Sequence, residues 1–245
     1  MEKFFYEMGR KVGSSIKKSK WYYKSAFGSE DEAIKAEMAV GKELALSMKK
    51  EMKVLNNQDL QNIIDEIGAQ LYQRVVNKKR RFKFYIIANS DINAFALPGG
   101  LIFVTDKLFK QIYQSKHELA FVLAHEMMHV VFKHPMNKIL ADYSTQIVSN
   151  ILIKGGTLGA LAKQMLTNLL KSSYSQDKEF EADEYAVRLM YSTNFNPDEA
   201  KNLLKKLKRN SVEKSSIFNY FISHPPIDER IEKINTIIKE RKMRI

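Results

Sequence analysis

Residues 119–132, LAFVLAHEMMHVVF, set His125, Glu126 and His129 inside a run that is otherwise wholly apolar. Ser115 and Glu118 just ahead of it fit a capping box, in which the hydroxyl accepts from the first turn and the carboxylate reaches back. The run therefore reads as a helix from about 115 to 133. Its apolar residues must enter a core. Histidines and a carboxylate taken along with them need partners, because a buried polar or charged group without one is heavily penalised. Any fold this chain adopts must bring other polar groups to this helix.

Residues four apart on a helix project from one face. The imidazoles of His125 and His129 can thus grip one cation, and zinc accepts nitrogen and carboxylate ligands, usually tetrahedrally. Glu126 lies beside the pair and can reach a metal-bound water without ligating the metal. Zinc brings the pKa of that water towards ~7, and the carboxylate takes the proton as hydroxide attacks a carbonyl. This is the metallopeptidase reading of H-E-x-x-H; the competing reading is two histidines on a partly buried core helix. Cysteine is absent, so disulfides and thiolate ligands are excluded, and a metal must be held by His, Asp, Glu or backbone. A third histidine at the H-E-x-x-H-x-x-G-x-x-H spacing is also missing, since residue 132 is Phe and residue 135 is Pro. The acidic segment SQDKEFEADEYAVRLM (175–190) is the better source of a third ligand. Glu179, Asp183, Ala186 and Met190 form one stripe at helical spacing. A face that starts acidic and ends apolar points inward, its carboxylates meeting something positive. Glu179 as ligand and Asp183 as hydrogen-bond partner of a ligand histidine satisfy both demands. Glu181 and Glu184, on other faces, read as solvated.

Apolar periodicity predicts helices over 30–54 and 58–77. FKFYIIA (82–88) reads as a strand, and INAFALPGGLIFVT (92–105) as two short strands around Pro98-Gly99-Gly100. A short helix at 106–113 precedes the histidine helix, and further helices follow at roughly 138–153, 157–171, 175–192, 197–210 and 228–242. Ten glycines and five prolines disfavour an all-β chain. The expected class is α+β, mainly helical with one small sheet. The apolar stretch 143–170 is interrupted by Lys154 and Lys163 and broken at Gly155-Gly156. Its longest uncharged run, 143–153, falls short of the ~18–20 residues of a spanning helix, so it reads as two short helices.

The N-terminal stretch lacks the continuous apolar region and small-residue cleavage site of a secretory signal. The chain reads as cytoplasmic, with no signal peptide and no transmembrane helix. Phe4, Met8, Val12 and Ile16 recur every four positions, flanked by lysines and an arginine. Such a face over residues 1–27 suits either an anionic membrane surface or the chain's own core. The net charge of +12 favours acidic partners, but no motif for specific nucleic-acid binding accompanies it.

HEMMH at 125–129, EFEAD at 179–183, NAFALPGGLIFVT upstream and SHPPIDERI at 223–231 together resemble the HtpX and CAAX prenyl endopeptidase family of zinc metalloendopeptidases, including its BepA-like and Oma-type branches. The resemblance covers about residues 55–240. It implies a gluzincin-type catalytic domain, 56–245, with its sheet packed on the active-site helix, behind an N-terminal helical extension, 1–55. It also implies one zinc ion held by His125, His129 and Glu179, with Glu126 as general base and Asp183 orienting a ligand histidine. The strand Asn93-Ala94-Phe95-Ala96 would be the sheet edge that pairs with extended polypeptide substrate through main-chain bonds. His224, held before Pro225-Pro226, either donates to the carbonyl oxygen as charge develops or fills the open zinc position at rest; the plainer reading is a loop or capping histidine. His117 and His134 are assigned no role. Membrane-spanning helices and signal peptides occur in relatives and are not read here, which favours unfolded or misassembled protein over a prenylated substrate. The alternative function is a chaperone-like or membrane-surface binding protein with a latent, gated zinc site.

Overall fold

The computed structural model describes residues 29–143, 159–171, 173–211, 224 and 227–242. The basic face at 1–27, the break at Gly155-Gly156 and Pro225-Pro226 lie outside the described residues. Helices α1 (Glu30–Glu51) and α2 (Gln58–Tyr72) precede strands β1 (Lys83–Ile87), β2 (Ala94–Leu97) and β3 (Leu101–Thr105). Helices α3 (Asp106–Ile112), α4 (Lys116–Val131), α5 (His134–Asp142), α6 (Gly159–Lys171), α7 (Gln176–Ser192), α8 (Asp198–Ser211) and α9 (Ile227–Lys242) follow. The α+β class holds. The second helix is shorter than its periodicity predicts, because the chain leaves it through a turn in which Val75 donates to the Tyr72 carbonyl.

The sheet order is β1-β3-β2, with β1 parallel and β2 antiparallel to β3. The β2–β3 turn runs through Gly99 (φ 78°) and Gly100 (φ 89°), a left-handed backbone that favours glycine. Strand residues alternate between two cores, as a pleated strand requires. Phe84, Ile86, Ala94, Ala96, Ile102 and Val104 face the core built with α2, α3, α4, α7, α8 and α9. Ile87, Leu97 and Phe103 face the core built with α1, α5 and α6. With both faces covered, these strands read as nearly continuous apolar runs.

Helix α4 lies inside the first core, and every residue from Glu118 to Val130 is buried. It is surrounded by the sheet, α2, α3, α7 and α8, so it has no polar face. Its start departs from the predicted capping box. Ser115 Oγ accepts from the Glu118 amide at 3.3 Å, but Glu118 turns outward to Lys206 of α8, 2.9 Å away. The reciprocal box forms instead at Ser29 and Glu32 of α1. At the far end, Lys133 adopts φ 63° and turns the chain so that α5 begins at His134, with Pro135 in its first turn. The prediction put that helix four residues later, and the earlier start bears on the site. Buried Glu37 of α1 forms a two-pronged ion pair with buried Arg80, tying α1 to the turn before β1.

Candidate metal centre

Helices α4 and α7 pack side by side and contribute five side chains to one buried cluster: His125, Glu126 and His129 from α4, Glu179 and Asp183 from α7. His224, just before α9, joins them. Each is at most 2% exposed. His125 Nε2 and His129 Nε2 are 3.0 Å apart. Glu179 closes the triangle, with Oε2 3.5 Å from His125 and Oε1 3.3 Å from His129. His224 Nδ1 lies 3.1 Å from Glu179 Oε2. One donor atom from each of these four residues falls within 4.8 Å of the others, a spacing that one cation can bridge.

His125 and His129 are each held from the other ring nitrogen. Asp183 Oδ1 accepts from His125 Nδ1 at 2.8 Å, the contact predicted for Asp183. His129 Nδ1 meets His134 Nδ1 at 2.8 Å, and His134 Nε2 lies 3.1 Å from Glu181 Oε2. Both findings correct the sequence reading, which left His134 without a role and Glu181 in solvent. His134 is 3% exposed, and it arrives beside His129 because α5 starts directly after the left-handed turn. His117 accepts from the Asn196 amide at 3.2 Å, away from the cluster.

The positive partner that the acidic stripe demanded is Arg230 of α9, fully buried. Its Nε and Nη2 reach the two Asp183 oxygens at 2.7 and 2.8 Å. Its Nη1 lies 3.2 Å from Glu179 Oε2 and donates to the His224 carbonyl at 3.2 Å. Sequence reasoning missed it, although its place on a stripe with Ile227, Ile231 and Ile234 was the available signal. Tyr174 was also missed. Its ring stacks on His129 with centroids 4.3 Å apart and planes at 22°.

Glu126, His224, Tyr174, Leu169 and Leu170 line a cavity together with Asn93, Phe95 and Ala96. Its volume is ≈ 20 Å³, room for a single water. Strand β2 forms an edge of the sheet, and the Ala94 carbonyl lies 3.4 Å from His224 Nε2. The predicted edge-strand residues thus meet Glu126 and His224 at one place.

The charges suit a cation. Burial raises the Glu179 carboxyl, but His224, Arg230 and its histidine contacts outweigh this and hold it well below the usual range. Burial also opposes ionisation of Asp183, and Arg230 and His125 bring it below its ordinary value. Burial drives the His129 imidazole well down. Burial and Arg230 press His125 down too, yet Asp183 and Glu179 hold it up at about 9. Glu126 is pushed up by burial against the pull of His224 and His125. Its Oε2 is buried and has no hydrogen-bond partner among the described residues. Convergent nitrogen and carboxylate donors and imidazole rings pinned from behind, with the Glu126 carboxylate beside them, fit a metal ion of borderline softness.

The sequence profile of peptidase family M48 matches residues 55–238. The chain is 27% identical over 210 residues to the beta-barrel assembly-enhancing protease of Yersinia pestis, covering 81% of this chain and 43% of that protein. It is 28% identical over 165 residues to the mitochondrial metalloendopeptidase OMA1 of Schizosaccharomyces pombe, covering 67% and 49%. To the metalloprotease YcaL of Escherichia coli K12 it is 27% identical over 212 residues, covering 84% and 78%. The chain spans less than half the length of the beta-barrel assembly-enhancing proteases it matches. Among the described residues no helix is long and apolar enough to cross a membrane. The profile match spans well over half of the chain and includes both helices of the cluster, so this protein belongs to peptidase family M48, whose members are metal-dependent.

Proposed function

We propose that the protein is a zinc metalloendopeptidase that hydrolyses unfolded or misassembled polypeptides held as an extended strand. One observation carries the reading: Glu126 is a buried carboxylate with a raised pKa and an oxygen that has no partner among the described residues, next to four convergent donors. His125, His129 and Glu179 hold the ion, and Asp183 orients His125. When bound, zinc supplies Lewis acidity and brings the pKa of a water towards ~7. Glu126 takes the proton from the attacking water and passes it to the leaving amine; its raised basicity suits a group that must do both near neutral pH. Asn93, Ala94, Phe95 and Ala96 offer the edge of β2 to the substrate strand. His224 completes the donor set at rest and donates from Nε2 to the carbonyl oxygen once substrate is bound. Residues 56–245 form the catalytic unit and 1–55 an extension, a division supported by the family match starting at residue 55. The names of the relatives, proteases throughout and one tied to beta-barrel assembly, support a proteolytic role in protein quality control.

The test is cleavage of casein by the zinc-loaded full chain and by Glu126→Gln, with metal content measured in both. Wild type is expected to cleave, and Glu126→Gln to keep its zinc and turn over ~10²–10⁴-fold more slowly. Glu179→Ala should lose the zinc. A second reading, a binding protein with a gated site, is favoured by the small volume of the cavity beside Glu126. It replaces the first if zinc-loaded wild type cleaves nothing. The basic face at 1–27 and the net charge of +12 support contact with an anionic membrane surface. Failure of the full chain to sediment with phosphatidylglycerol vesicles would remove that part.

A further inference from the structure

The two ligand histidines are held differently. His125 meets its carboxylate directly, through the 2.8 Å contact with Asp183. His129 meets one only through a second ring, since His134 stands between its Nδ1 and Glu181. A contact of 2.8 Å between two imidazole nitrogens holds one hydrogen, donated by one ring and accepted by the other. The far nitrogen decides which. An ionised carboxylate only accepts, so the 3.1 Å contact to Glu181 places a hydrogen on His134 Nε2. A neutral imidazole carries a single N–H, and the contact with the carboxylate puts it on Nε2. His134 Nδ1 is then bare and accepts from His129 Nδ1–H. The His129 lone pair is left on Nε2, the atom that faces His125 and Glu179 at 3.0 and 3.3 Å.

We infer that His134 and Glu181 are a positioning pair that sets the tautomer of His129, so that its metal-facing nitrogen is bare before any ion arrives. The inference deepens the metal-site reading and rests on it. Packing supports the arrangement. The Tyr174 ring stacks on His129 at 4.3 Å, and the Phe132 ring lies 5.9 Å from His134 with its plane tilted by 30°. Glu181 sits two residues from Glu179 on α7, so one helix both supplies a ligand and orders the proton behind another.

The first measurement is long-range ¹H–¹⁵N NMR on the metal-free full chain with labelled histidine. His129 should carry its hydrogen on Nδ1 and His134 on Nε2. A hydrogen on His134 Nδ1 overturns the inference. The second is zinc affinity, measured by chelator competition, for wild type, His134→Leu and His134→Asn. Removing such a partner weakens metal binding by ~10–100-fold, which is the loss expected for His134→Leu. His134→Asn keeps an amide oxygen near the position of Nδ1 and should recover most of the affinity. His134→Leu binding zinc as tightly as wild type, with an unchanged metal-free melting curve, also overturns it. If His134→Leu does not fold, the wild-type tautomers decide alone. Absence of zinc binding by wild type would instead sink the metal-site reading, and the positioning role with it.

Discussion

On the proposed metal-site reading, His125 holds a proton that an incoming metal ion has to displace. Its pKa is held up at about 9, against burial and Arg230, by Asp183 and Glu179. At pH 7 the metal-free ring is therefore charged, whereas a ligand histidine is neutral. Zinc uptake at pH 7 should release about one proton, and affinity should rise with pH up to about 9 before it levels off. Calorimetry in two buffers of different ionisation enthalpy reads that proton directly; equal heats in both would contradict it. The sign for stability runs the other way. A folded pKa above the ordinary value of 6.5 means that the His125–Asp183 pair stabilises the metal-free protein fully below 6.5, and that this is lost as pH rises through about 9. The donors were legible at this scale because each carries its own spacing signal: four residues from His125 to His129, four from Glu179 to Asp183. His134 and Glu181 were not, because their roles depend on where α5 starts, which is set by a left-handed residue at Lys133.

Between elements, Arg230 of α9 is the tie. Its guanidinium bridges Asp183 and Glu179 of α7 and the His224 carbonyl. Arg230→Met would take the guanidinium away from two buried carboxylates, and breaking a buried pair costs about 3–5 kcal/mol. Urea denaturation of the metal-free protein should show that loss; a loss below about 1 kcal/mol would place the pair among those of little net worth. Arg230→Lys should not restore it, since one ammonium cannot span both Asp183 oxygens as the planar fork does. A second close approach joins α1 to the β2–β3 turn. A Cβ at Gly41 would lie 1.8 Å from the Pro98 carbonyl oxygen, so glycine there lets the helix pass the hairpin. The hairpin itself was legible, because Pro98-Gly99-Gly100 states its turn chemistry locally. The failed capping box at Ser115 was not, because Lys206, 88 residues away, competes for Glu118.

Across the whole molecule, the sheet divides the core that holds the His–Glu cluster from a second core made with α1, α5 and α6. The end of α6 reaches over the division, where Leu169 and Leu170 share the cavity beside Glu126 with Tyr174. The proposed pairing of a substrate strand with β2 needs far more room than ≈ 20 Å³, so on that reading α6 shifts before a strand enters. Leu170→Ala, which trims the cover and touches no metal ligand, should raise casein turnover several-fold and leave zinc affinity unchanged; unchanged turnover would mean that α6 does not limit access. The sequence by itself determined the helical class, the short sheet with its glycine turn, and the set His125, Glu126, His129, Glu179 and Asp183 that meets in one cluster, because helical period and side-chain spacing are local quantities. Only the tertiary structure decided what stands behind those donors: Arg230 under Asp183, His134 and Glu181 behind His129, Tyr174 against its face, α6 across the entrance. Polar groups buried with α4 take whichever partners the packed helices bring within hydrogen-bond reach, and that depends on how α5, α7 and α9 cross it.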